Sequence, residues 1–159
     1  MKKKLLLVCS ILAAFSLGIV TMSFIGTHDD DSTKKPLNLG VFSVSLNVKD
    51  LQVSKQFYEK MGFKKMGGSE AAHYLIMKNG TTIIGIFQGM FQGNILTFNP
   101  GWDVNAKNVK KFDDVRYIQK RLKSEGIALL SEADTTTTGP ASILFTDPDG
   151  NVLLVDQHR

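Results

Sequence analysis

The chain has one cysteine, Cys9, and one tryptophan, Trp102, in 159 residues. A single thiol excludes an intramolecular disulfide and any cysteine-built zinc or iron–sulfur site. An excess of one charge is missing too. The formal net charge is +4, but the first 38 residues hold five of the 19 basic and three of the 15 acidic residues. The 14 basic and 12 acidic residues that remain offer no strong attraction to a polyanion. The densest basic group is Lys107, Lys110 and Lys111, followed by Arg116, Lys120, Arg121 and Lys123. It reads as the solvated face of a helix and its lead-in, not as the basic stripe with interleaved aromatics of a nucleic-acid binder. No nucleic-acid partner is expected. With 43% hydrophobic and 21% charged residues the composition is that of a globular domain, which argues against a disordered or collagen-like chain.

One long apolar run is present. Lys2, Lys3 and Lys4 precede residues 5–26, which carry no ionisable side chain except Cys9. As a helix such a run is roughly 33 Å long, enough to cross the hydrocarbon core of a bilayer. Residues 1–26 are therefore expected to be either an N-terminal membrane anchor or a cleaved signal peptide. The lysines would stay on the cytoplasmic side, so both readings place the rest of the chain outside the cytoplasm. Residues 27–38 begin THDDDSTKKPL and read as a polar linker.

Residues 39–159 read as a domain of two similar modules, about 39–92 and 93–159. VFSVSLNV alternates Phe42, Val44, Leu46 and Val48 with polar residues, the period of a half-buried strand. Asp50 caps a helix through Met61, and Gly62 ends it. Strands are expected at 63–66, 73–78 and 82–88, with Asn79-Gly80 as a hairpin turn. The second module repeats the order: a strand at 94–99, a helix capped by Asp113 or Asp114 and ended by Gly126, then strands at 127–130, 141–146 and 152–157, the last two joined through Asp149-Gly150. Asp50 to Gly62 and Asp114 to Gly126 are both 12 residues. The asparagine–glycine and aspartate–glycine turns are 70 apart and the helix caps 64, so one insertion in SEADTTTTGP (131–140) reconciles them. The expected fold is α+β, two βαβββ units.

The segments VSLNVKDLQVSKQFYEKMGF and LFTDPDGNVLLVDQ resemble the vicinal oxygen chelate superfamily, the group of glyoxalase I, bleomycin-resistance proteins and extradiol dioxygenases. The resemblance implies a curved mixed sheet with a cleft between the modules, and family members commonly pair as homodimers. It also implies a divalent ion held by His, Gln or Glu side chains of both modules, with open positions for substrate oxygens. The positions where the family places its ligands hold Ser43 on the opening strand and Leu154, four residues after Gly150. The matching strand of module one offers Ile84, and the second module's first strand offers Asn94, Ile95 and Leu96. None of these is an imidazole or a carboxylate, so no family metal centre and no cofactor is expected.

Other donors stand nearby: His73, Gln88, Asn99, Asp156 and His158. His73 alternates with Leu75 and Met77 on an expected strand, and Asp156 shares a strand face with Leu154. A metal-dependent lyase or dioxygenase with relocated ligands therefore stays open as an alternative. No catalytic residue is assigned: Ser43 lacks a recognisable base–acid pair, and the glycine-rich stretches lack phosphate-loop spacing. The leading expectation is a small organic molecule bound in the cleft without a metal, with Ser43, His73, Gln88, Phe91 and Trp102 as its contacts. Phe91 lies in the glycine-rich IFQGMFQGN link between modules, and Trp102 offers a flat face for stacking. An interaction module held at a membrane surface, its cleft filled by side chains, is the third reading.

Overall fold

The computed structural model describes residues 35–159. The elements are β1 (Val41–Val48), α1 (Leu51–Lys60), β2 (Lys64–Ser69), β3 (Tyr74–Asn79), β4 (Thr82–Gln88), β5 (Asn94–Asn99), α2 (Val115–Ser124), β6 (Leu129–Ser131), β7 (Ala141–Thr146) and β8 (Val152–Gln157). The run at 5–26 expected as anchor or signal peptide lies outside the described residues. Among the described residues no helix is long and apolar enough to cross a membrane.

The eight strands form one sheet in the order β2-β3-β4-β1-β5-β8-β7-β6. Each module pairs its first and last strands in parallel, β1 with β4 and β5 with β8. The modules join through the antiparallel β1–β5 pair, where Ser43 faces Thr97 and Ser45 faces Ile95. The expected α+β architecture of two βαβββ units is the observed one.

Strand parity then divides the sheet into two faces. One carries the helices. Leu75, Met77, Ile84 and Ile86 pack with Leu51 of α1 in one core, and Ile143, Phe145 and Val155 pack with Val115 and Ile118 of α2 in the other. Asp50 caps α1 by accepting from the backbone N–H groups of Gln52 at 2.8 Å and Val53 at 2.9 Å. Asp114, not Asp113, caps α2 through the N–H of Arg116. Asp113 instead accepts from the backbone of Asn38 at 2.7 Å.

A second device repeats. The last residue of β4, Gln88, accepts from the backbone N–H of Leu51 at 3.0 Å, and the last residue of β8, Gln157, accepts from that of Val115 at 2.8 Å. Each glutamine satisfies the first orphan donor of its module's helix. Gln88 therefore points to the helix side of the sheet, away from the cleft where the sequence had suggested it.

His73 is displaced for another reason. Residues Glu70–Ala72 form a single 3-10 turn, and His73 ends it with φ 58, exposed, before β3 begins at Tyr74. Leu75 and Met77, with which it is expected to share a strand lining the cleft, are fully buried under α1. The residues of β3 that face the cleft are Tyr74 and Ile76.

Candidate functional site

The face opposite the helices encloses a cavity of about 540 Å³. This lies in the range of small-molecule sites, roughly 300–1,000 Å³. Its floor is the centre of the sheet. Ser43 and Ser45 of β1 and Thr97 of β5 face it, with Leu154 beside Thr97 in the β5–β8 register. The hydroxyls of Ser45 and Thr97 satisfy each other at 2.9 Å. Ser43 is 8% exposed and has no side-chain hydrogen-bond partner among the described residues.

The module-one wall is aromatic. The Tyr74 and Phe87 rings stack with centroids 5.5 Å apart and planes within 6°, and Phe91 from the link tilts onto Phe87 at 5.2 Å. Gly85 makes room for this wall. A Cβ at that position would lie 2.4 Å from Cε2 of Phe87 and 3.2 Å from Ile76, so a side chain there would displace the ring.

The module-two wall is polar and aromatic together. Trp102 stacks on the His158 imidazole, centroids 4.0 Å apart and planes within 9°, while its indole N–H donates to Asn108. His158 Nε2 lies 3.3 Å from Oδ2 of Asp156 and 3.3 Å from Nδ2 of Asn99. The Asn99 amide also donates to the main-chain oxygen of Asp156 at 3.1 Å. Burial pushes the Asp156 carboxyl above its ordinary range, and His158 opposes this only in part. Asp103, at the mouth, is held below its ordinary range by the backbone N–H groups of Lys107 and Asn105.

Asp156 thus bears on stability. Below the ordinary carboxyl pKa of about 3.9 it is protonated in folded and unfolded chains alike. As pH rises through its raised folded value, the unfolded chain has already released the proton and stability is lost. Asp156→Asn is expected to raise the melting temperature at pH 7, with the gain vanishing at about pH 3.5. Thermal unfolding of both proteins at the two pH values checks this.

Ser43, Phe91 and Trp102 line the cavity; His73 and Gln88 do not. Tyr74, Phe87, Ser45 and Thr97 were not singled out by the sequence. The positions implied for a metal also shift. Ile84 packs under α1; its neighbour Ile83 lines the cavity, and Gly85, three residues before Gln88 as Leu154 is three before Gln157, shares that face. In β5 the residue facing both Ser43 and Leu154 is Thr97, not Asn94, Ile95 or Leu96. The set is therefore Ser43, Gly85, Thr97 and Leu154. Two neutral hydroxyls, an aliphatic chain and a glycine do not fit a divalent ion that takes imidazole and carboxylate donors. Among the described residues no three His, Cys, Asp or Glu side chains cluster to hold one.

Paired βαβββ units flanking a ligand-sized cleft define a class of two-module cleft proteins. The chain belongs to the glyoxalase/bleomycin resistance protein/dioxygenase superfamily, whose model matches residues 40–155. No curated protein matches it in sequence. Among solved structures, it is similar to a superfamily member from Vibrio splendidus 12B01, with TM-score 0.52, 14% identity and coverage of 73% of this chain and 97% of that one. A structure from Legionella pneumophila, described as an NAD-dependent benzaldehyde dehydrogenase, gives TM-score 0.56 and 17% identity over 74% of this chain and 99% of that one. The Mn(II)-bound glyoxalase from Novosphingobium aromaticivorans gives TM-score 0.50 and 18% identity, covering 76% of this chain but 39% of that one. At these identities the likeness concerns the fold.

Proposed function

We propose that the protein binds a small planar organic molecule in the inter-module cleft, without a metal, on the extracytoplasmic side of a membrane. The observation that carries the reading is the open cavity of about 540 Å³, walled by stacked aromatics, at the place where the ligand positions hold Ser43, Gly85, Thr97 and Leu154. A cleft serving only as packing between modules would be filled by side chains at interior density. Here Gly85 gives the Phe87 ring its place, and Ser43 faces the open space. The lysine-capped run at 5–26 supports the location.

The test is thermal unfolding of the full chain with one- and two-ring aromatic compounds, neutral and of both charges, and separately with zinc, nickel, manganese and ferrous ions. A ligand at a hundred times its Kd should stabilise the fold by about 2.7 kcal/mol, a rise of several degrees. It should also change the emission of Trp102, the sole tryptophan. The divalent ions should leave the transition in place. A stoichiometric ion that stabilises the chain would replace this reading by a metal-dependent lyase or dioxygenase with relocated ligands.

A further inference from the structure

We propose that the cleft selects an aromatic cation, with the Asp156 carboxylate as the counter-charge and the aromatic walls as the surface for its body. The inference rests on the cleft-binding reading above and adds the charge of the ligand.

Three observations carry it. The chain is basic overall, yet among the described residues no lysine or arginine lines the cavity, while two carboxylates, Asp103 and Asp156, do. Four rings, Tyr74, Phe87, Phe91 and Trp102, line the same space. The negative face of an aromatic ring attracts a nearby cation, more strongly where both are desolvated.

The third observation separates the two acids. Asp103 accepts from the backbone N–H groups of Asn105 at 2.8 Å and Lys107 at 2.9 Å, and Lys78 and Lys107 act on it electrostatically. Its charge is committed to the loop. Asp156 lies deeper, on the strand face of Leu154, and the one ionisable side chain paired with it among the described residues is His158. The other groups around it, the Asn99 amide on β5 and its strand partner Ser142 on β7, are neutral. A carboxylate with 34% of its side chain exposed beside an apolar cleft is short of a full cationic partner. An ammonium group on the ligand supplies one, whereas an anion there meets like charge.

The experiment uses three probes sharing one ring: benzyltrimethylammonium, benzyl alcohol and phenylacetate. Each is titrated into the full chain at fixed ionic strength, with Trp102 emission and calorimetry as readouts. The ammonium is expected to bind at least tenfold more tightly than the alcohol, and phenylacetate most weakly. In Asp156→Asn the ratio of ammonium to alcohol affinity should fall to about one. Alcohol or phenylacetate binding as well as the ammonium in the unmodified chain overturns cation selection but leaves cleft binding standing. A preference that survives Asp156→Asn overturns the role of that carboxylate. Silence of all three probes overturns the inference, and if the wider aromatic panel is silent as well, the binding reading falls with it. The comparison within the unmodified chain does not depend on how the variant folds.

Discussion

Gln157→Leu is expected to lower the stability of the domain by about 3 kcal/mol, read as a fall in the denaturant midpoint at unchanged slope. Gln157 is 2% exposed and makes four hydrogen bonds. Its oxygen accepts from Val115, and the two N–H groups of its amide are shared among three acceptors, Oδ2 of Asp114 at 2.9 Å and the main-chain oxygens of Gly139 at 3.0 Å and Arg159 at 2.7 Å. Leucine fills nearly the same volume, so the loss is polar and not a cavity. It leaves the N–H of the fully buried Val115 without a partner, which alone costs about 1–3 kcal/mol.

The same substitution changes the pH response. Burial pushes the Asp114 carboxyl upward, but the Gln157 amide and the N–H groups of Arg116 outweigh it and hold the group below its ordinary range. A depressed carboxyl contributes stability above its unfolded pKa, and that contribution is lost as pH falls through the depressed value. Without Gln157 part of the contribution is gone at neutral pH, so the gap between variant and parent narrows on acidification. Gln88→Leu breaks a single bond at a half-buried residue and should cost about 1 kcal/mol. The inequality follows from position: the Gln157 side chain ties α2, the loop before β7 and Arg159 together, while the Gln88 side chain bonds the start of α1.

What the sequence disclosed and what it withheld divide along physical lines. The helices were legible because Asp50, Asp114, Gly62 and Gly126 punctuate them, and β1 because VFSVSLNV alternates cleanly. Strand faces in module one were not. β4 reads TIIGIFQ, apolar on both sides, so period two gives no signal. Counting from the hairpin glycines misplaced Ile84 because the two turns differ: Asn79 pairs directly with Thr82 across two residues, whereas Thr146 pairs with Val152 across five. A slip of one residue exchanges the faces of a strand, which is why Leu154 meets the cavity and Ile84 meets α1. The strand-end glutamines, 69 residues apart where the turns are 70, carried that slip in the sequence unread. His73 was misread because a one-turn 3-10 segment has no periodic signature. Of the cavity, Ser43, Phe91 and Trp102 could be picked out. Tyr74 and Phe87 could not, since their stacking depends on register. From the sequence Asp156 and His158 read only as replacement metal donors, though their place beside Trp102 supports a different role.

The other large effect concerns a residue the sequence presents merely as the one before β1. Gly40→Ala is expected to cost about 3 kcal/mol and to alter Trp102 emission in the folded protein. Gly40 has φ +77, and a Cβ there would lie 2.1 Å from the main-chain oxygen of Asn99 and 2.6 Å from Cα of Pro100. The left-handed backbone costs an alanine about 1–2 kcal/mol. The remainder comes from backbone against backbone, where no side chain can rotate away and the end of β5 must move from β1. Gly80→Ala isolates the first part: its φ is +58, and a Cβ meets nothing within 4 Å, so about 1–2 kcal/mol is expected there with Trp102 unaffected. The difference between the two variants measures the clash. It reaches the cavity because Asn99 is the residue displaced, and its amide holds the main-chain oxygen of Asp156 and lies against His158, on which Trp102 stacks. The absence of a side chain at Gly40 allows the two modules to approach closely enough to set the polar end of the cleft. A variant as stable as Gly80→Ala, with Trp102 unchanged, would show that the β1–β5 seam and the cleft wall relax independently.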